Sequence, residues 1–151
     1  MFVTKEKHEF LVHVTQLLTR VGQDLKKGRA ECVYQKATGI AFQLSNIQYN
    51  LEETLPIMWN GVAVGHERLD ISVYGDIPII IELKTVASKI KPEHLWQVQS
   101  YMRIKSVEFG MVVNFSTATG APIEIIVLAG THIYDIETEK LKDAPSDEFP
   151  V

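Results

Sequence analysis

The sequence predicts a mixed α/β domain, a central sheet flanked by helices in the order αα-βββ(β)-α-ββ. Three observations carry this reading. Apolar residues recur at helical spacing through the first 44 positions, and alternating or continuous β-branched runs broken by turn residues fill 48–84. Helical spacing then returns over 93–105 before two further apolar runs.

Phe10, Leu11, Val14, Leu17, Leu18 and Val21 define a first helix over 5–21, with Gly22 read as its stop. Gln23 to Gly28 is a polar, lysine-rich connector. A second helix is expected from Arg29 to Leu44, with Val33, Ala37, Ile40, Ala41 and Leu44 as its apolar stripe. Residues 48–58 alternate as a strand. Trp59-Asn60-Gly61-Val62 is a hairpin turn, because Asn-Gly accepts the positive φ angles of a type I′ turn. Strands follow at 62–66 and 68–74, and Gly75-Asp76 turns the chain into a buried central strand over 77–84. Pro92 suits a helix start, so 93–105 is the third helix. Strands at 108–115 and 123–128 follow, split by Thr117–Pro122, and Ile133–Ile136 adds a short edge strand.

At 151 residues the chain suits one domain, assigned to 1–137, with an acidic, mobile tail over 138–151. Apolar content of 46% and charged content of 23% are ordinary for a globular domain, and no apolar run approaches the roughly 20 residues of a membrane span. The N-terminus lacks the order of a signal peptide. The single cysteine, Cys32, excludes an internal disulfide framework. An intracellular, reducing compartment (cytoplasm or nucleus) is therefore expected, and not secretion. The net charge of −4 resides in residues 135–151, which hold six acids and two lysines; the remainder carries thirteen of each sign. Such a body is compatible with a phosphate-backbone partner without demanding one.

The chemistry concentrates in Asp70 and Glu82-Leu83-Lys84, where the apolar run 77–81 leads directly into the glutamate. Side chains alternate along a strand, so Glu82 and Lys84 share one face and Leu83 points to the other. Charges at the end of a core strand must be paired, metal-bound or catalytic. Glu31 and Tyr34 stand one turn apart on the second helix, and Gln97 and Tyr101 share a face of the third. Taken singly, each has a plainer reading: an ion pair for Glu82 and Lys84, a helix-dipole partner for Glu31, solvent for Gln97 and core for Tyr101. Trp59 and Trp96 read as packing residues, and Cys32 as a small buried one.

Together these residues resemble the GxxExxY family of the PD-(D/E)xK, or restriction-endonuclease-like, nuclease superfamily. Gly28, Glu31 and Tyr34 match the naming motif, and Asp70 with Glu82-Leu83-Lys84 matches the nuclease core. Gln97-x-x-x-Tyr101 resembles the QxxxY motif of lambda-exonuclease-like and RecB-like members; His94 and Asn114-Phe115 also read like the family. Leu69 replaces the proline of the superfamily name, a position that supplies no ligand.

The resemblance implies a Mg²⁺- or Mn²⁺-dependent nuclease hydrolysing phosphodiester bonds of DNA, in a repair, recombination or exonuclease setting. Hard carboxylate oxygens suit either ion. Asp70, Glu82, the Leu83 backbone carbonyl and Glu31 would be metal ligands. Lys84 would orient or deprotonate the attacking water or stabilise developing charge, and Gln97 and Tyr101 would hold that water or a phosphate oxygen. Lys26, Lys27, Arg29, Lys89, Lys91, Arg103 and Lys105 are candidate nucleic-acid contacts. DNA is the expected partner, a membrane is not, and a homodimer is one arrangement, as in a Holliday-junction resolvase. The competing reading is an inactive nucleic-acid-binding or protein-interaction module on the same fold.

Overall fold

A computed structural model describes residues 2–146 of the chain. Among them three helices flank one seven-stranded sheet, in the chain order α1 (Lys5–Leu25), α2 (Glu31–Leu44), β1 (Tyr49–Trp59), β2 (Val62–Val73), β3 (Ile79–Lys84), α3 (Pro92–Lys105), β4 (Phe109–Asn114), β5 (Glu124–Ala129), β6 (His132–Asp135) and β7 (Lys140–Asp143). The strands lie in the sheet in sequence order. Every neighbouring pair is antiparallel except β3 and β4, which run parallel because α3 carries the chain from the end of one to the start of the other. The expected mixed sheet flanked by helices is present, with the restriction-endonuclease-like order of elements.

The helices cover both faces. Leu11, Val14, Leu18, Tyr34 and Phe42 from α1 and α2 pack on one face with Ile79, Ile81 and Leu83. Leu95, Val98, Tyr101 and Met102 from α3 pack on the other with Ile80 and Val112. A sheet buried on both faces explains why β3 and β4 read as continuous apolar runs.

Several boundaries differ from the sequence reading. Helix α1 runs through Gly22, where a Cβ would lie 3.1 Å from Phe115 Cδ1 and closer still to Ile123. Gly22 thus permits close packing rather than ending the helix, which stops at Lys26, held at a positive φ of 64°. On α2 the buried face is Tyr34, Gln35, Thr38, Gly39 and Phe42, whereas Val33, Ile40 and Leu44 of the expected stripe are exposed. The segments expected as two strands at 62–66 and 68–74 form one strand, β2. Asn60 and Gly61 both take positive φ, as the hairpin turn demands. Trp59, expected to pack, is 68% exposed at that turn, and Cys32 is also exposed. Residues 140–143, expected within the mobile tail, pair with β6, so 133–136 is not the sheet edge. The rest of the expected tail beyond Ser146 lies outside the described residues.

Candidate active site

The β2–β3 ladder stops at Ile71 opposite Ile81. Beyond it the two strands part, and the acids occupy the gap. Asp70 N–H donates to Glu82 Oε1 at 3.1 Å, and Leu83 N–H donates to Asp70 Oδ2 at 2.7 Å. Each carboxylate thus binds a backbone amide that a continuous ladder would have used. The β1–β2 pairing is also interrupted here: it passes from Leu51–Ile71 to Glu53–Leu69, leaving Glu52 and Asp70 unpaired, with Glu52 at φ 59°. Both strands exchange faces across this break. Leu51 and Ile71 pack with α1 and α2, while Leu69 and Leu55 pack with α3. Asp70 therefore sits at the switch point, open to both layers.

Side-chain alternation on β3 sends Leu83 toward α1 and α2 and turns Glu82 and Lys84 toward α3. There Lys84 Nζ donates to Gln97 Oε1 at 3.2 Å, and Gln97 Nε2 donates to the Tyr101 hydroxyl at 2.9 Å. Glu67 acts on the Tyr101 phenol as well. Phe115 N–H donates to Lys84 O at 2.9 Å, so that carbonyl faces β4. Carbonyls alternate along a strand, which turns the Leu83 carbonyl toward the gap beside Asp70.

Glu31 opens α2 and approaches from the other layer. Burial raises its pKa first and the Asp70 carboxylate adds to the rise, while Lys84 opposes it. Its field partners are thus the same two groups that border Glu82. Glu82 is 3% exposed; burial, then the charge of Asp70, pushes its pKa up to about 9, against the pull of the Asp70 N–H and Lys84. Burial and then Glu67 raise the pKa of the Tyr101 phenol. Burial followed by the Lys84 charge lowers His94.

Paired carboxylates in low dielectric retain a proton unless a cation relieves them. Hard oxygens from Asp70, Glu82 and the Leu83 carbonyl suit a divalent ion by donor chemistry, with Glu31 in electrostatic range. Among the described residues, no three acid, histidine or cysteine side chains already stand as a closed metal cluster.

The candidate phosphate contacts divide. Lys26, Lys89, Lys91 and Arg103 are exposed. Lys27 Nζ is spent on the carbonyls of Ser116 (3.1 Å) and Ala121, which tie the turn after α1 to the 116–121 loop. Arg29 Nε bonds Leu25 O at 3.0 Å, leaving the rest of its guanidinium at an exposed position. Lys105 pairs with Glu53 at 2.6 Å, where Ser72 and Tyr74 also donate to the carboxylate. Lys27 and Lys105 thus already have internal partners. Sequence reasoning also missed Gln35, whose Nε2 donates to Asp70 O at 2.8 Å; its only signal was standing four residues after Glu31.

Residues 8–125 match the PD-(D/E)XK nuclease superfamily. No curated protein gives a significant match. Among solved structures, the crystal structure of SSO0001 is similar at a TM-score of 0.49 and 19% identity, covering 83% of this chain and 69% of that one, a likeness too slight to carry an argument. No helix among the described residues is long and apolar enough to cross a membrane.

Proposed function

This chain belongs to the PD-(D/E)XK nuclease superfamily, and from that premise we propose that it is a nuclease that hydrolyses phosphodiester bonds of DNA with Mg²⁺ or Mn²⁺. The observation that supports this most is the parting of β2 and β3, into which Asp70 and Glu82 place their carboxylates beside Lys84. The GxxExxY and QxxxY patterns favour the branch with Glu31 as a further acid, and suggest work in repair or recombination.

Asp70, Glu82, the Leu83 carbonyl and Glu31 would hold the ion. When bound, it supplies charge neutralisation at the scissile phosphate and a more acidic water. The remaining work falls to the side chains. Gln97 Oε1 fixes the Lys84 ammonium, and the Gln97 amide is itself fixed by Tyr101. An ammonium held in place can orient the attacking water, take its proton if it is first deprotonated, or meet the charge growing on the phosphate. Lys89 and Lys91, on the loop that leaves Lys84, would hold the backbone of the strand.

The test is cleavage of single-stranded, duplex and branched DNA with Mg²⁺ or Mn²⁺, comparing wild type with Asp70→Ala. Wild type should cut at least one substrate, and the variant should be slower by roughly 10²-fold or more. Equal inertness of both proteins, together with failure of wild type to bind metal, removes the enzyme reading. A salt-dependent mobility shift indifferent to EDTA would then identify the binding module instead.

A further inference from the structure

We infer that Gln35 is a positioning residue, whose side-chain amide anchors the parted end of β2 to α2 and so sets how near Glu31 stands to Asp70 and Glu82. The inference rests on the nuclease reading of those acids and adds a residue to it. At Asp70 the ladder has failed on both sides: β2–β3 pairing ends at Ile71, and β1–β2 pairing omits Asp70. The two backbone groups of Asp70 are met by side chains instead. Its N–H goes to Glu82 Oε1, and its carbonyl accepts from Gln35 Nε2 at 2.8 Å.

Gln35 is 5% exposed, and a buried amide is costly unless its bonds are made. Met or Leu would fill similar space without that requirement, so packing alone does not call for an amide. Neighbouring Thr38 is equally buried but bonds only within its own helix, to Tyr34 O at 2.8 Å. Gln35 reaches from the helix to the strand that carries a candidate ligand. Glu31 lies one turn earlier on the same helix face. A rigid turn spans about 6 Å, so fixing Gln35 to the backbone of Asp70 also fixes the base of the Glu31 side chain. Glu31 feels Asp70 and Lys84 through charge, which is the separation such a tether would govern.

The test titrates Mn²⁺ into the full chain and reads free Mn²⁺ by electron paramagnetic resonance, with a melting curve for every variant. Gln35→Met should bind Mn²⁺ about tenfold more weakly than wild type, the loss typical when a group that orients ligands is removed. Gln35→Glu, which keeps the length but presents a carboxylate to the Asp70 carbonyl, should be at least as weak and covers the case in which Gln35→Met does not fold. Thr38→Val, a buried change on the same helix, should bind as wild type does, whatever it costs in melting temperature. Wild-type affinity in the folded Gln35 variants, or an equal loss in Thr38→Val, overturns the positioning role alone. Absence of Mn²⁺ binding by wild type overturns the nuclease reading beneath it, so the two failures are told apart.

Discussion

Glu82 joins the proposed chemistry to the stability of the protein. Its carboxyl, with a pKa of about 9 in the folded chain, keeps its proton where the unfolded chain, near 4.5, has lost it. A raised folded-state pKa contributes stability that is fully present below about 4.5 and is lost as pH rises toward about 9. Metal-free wild type should therefore weaken across that window, by at most about 1.4 kcal/mol per pH unit. Glu82→Gln, which cannot ionise, should lack the Glu82 share of that slope, so the variant gains on wild type as pH climbs. Urea unfolding in EDTA from pH 5 to 8.5 checks this; parallel curves would contradict it. At this scale the sequence was informative where side-chain type declares chemistry. Asp70, Glu82, Lys84, Gln97 and Tyr101 were visible as a set, and the structure brings them together around the parted strands. Gln35 was not visible, since its importance lies in a backbone carbonyl left without a ladder partner, and nothing in the residue order announces a broken ladder.

Elements were legible as far as apolar periodicity mirrors burial, and α2 shows where it does not. Its face toward the sheet carries Gln35, Thr38 and Gly39 because it must meet the Asp70 carbonyl and the Tyr49 ring, while Val33, Ile40 and Leu44 point outward. A count of apolar residues therefore found only part of the buried side, where Ala37 and Ala41 do pack against the core. Gly22 misled in a similar way, because a glycine that ends a helix and one that admits a neighbour look alike in sequence. Their consequences differ. Gly22→Ala gains up to about 1 kcal/mol of helix propensity but pushes a methyl group into Ile123 and Phe115, and overpacking costs about 1–3 kcal/mol. The variant should be destabilised by about 1 kcal/mol, measured by denaturant midpoint. A stabilised variant would show that Ile123 and Phe115 yield to the added methyl group.

Over the whole molecule, the class of fold could be read because β3 and β4 are too apolar to face water on either side, which requires helices above and below. The outer strand β7 escaped notice: Lys140–Asp143 is mostly charged, as befits the last strand of a sheet, and charge in sequence looks like solvent. The opposite end of the sheet is less guarded. β1 and β2 continue as a two-stranded arm well past the last residue of β2 that β3 supports, and Ile57, Met58, Trp59, Val62 and Val64 are exposed around its tip. Nature has thereby left a fluorescent beacon on a boom. Trp96 is tethered by a 2.9 Å bond to Pro145 O, whereas Trp59 stands in water, so a dissolved quencher should dim the latter first. Trp59→Phe should abolish the easily quenched component of the emission, and whatever the boom touches in solution will announce itself as a shielded, blue-shifted Trp59.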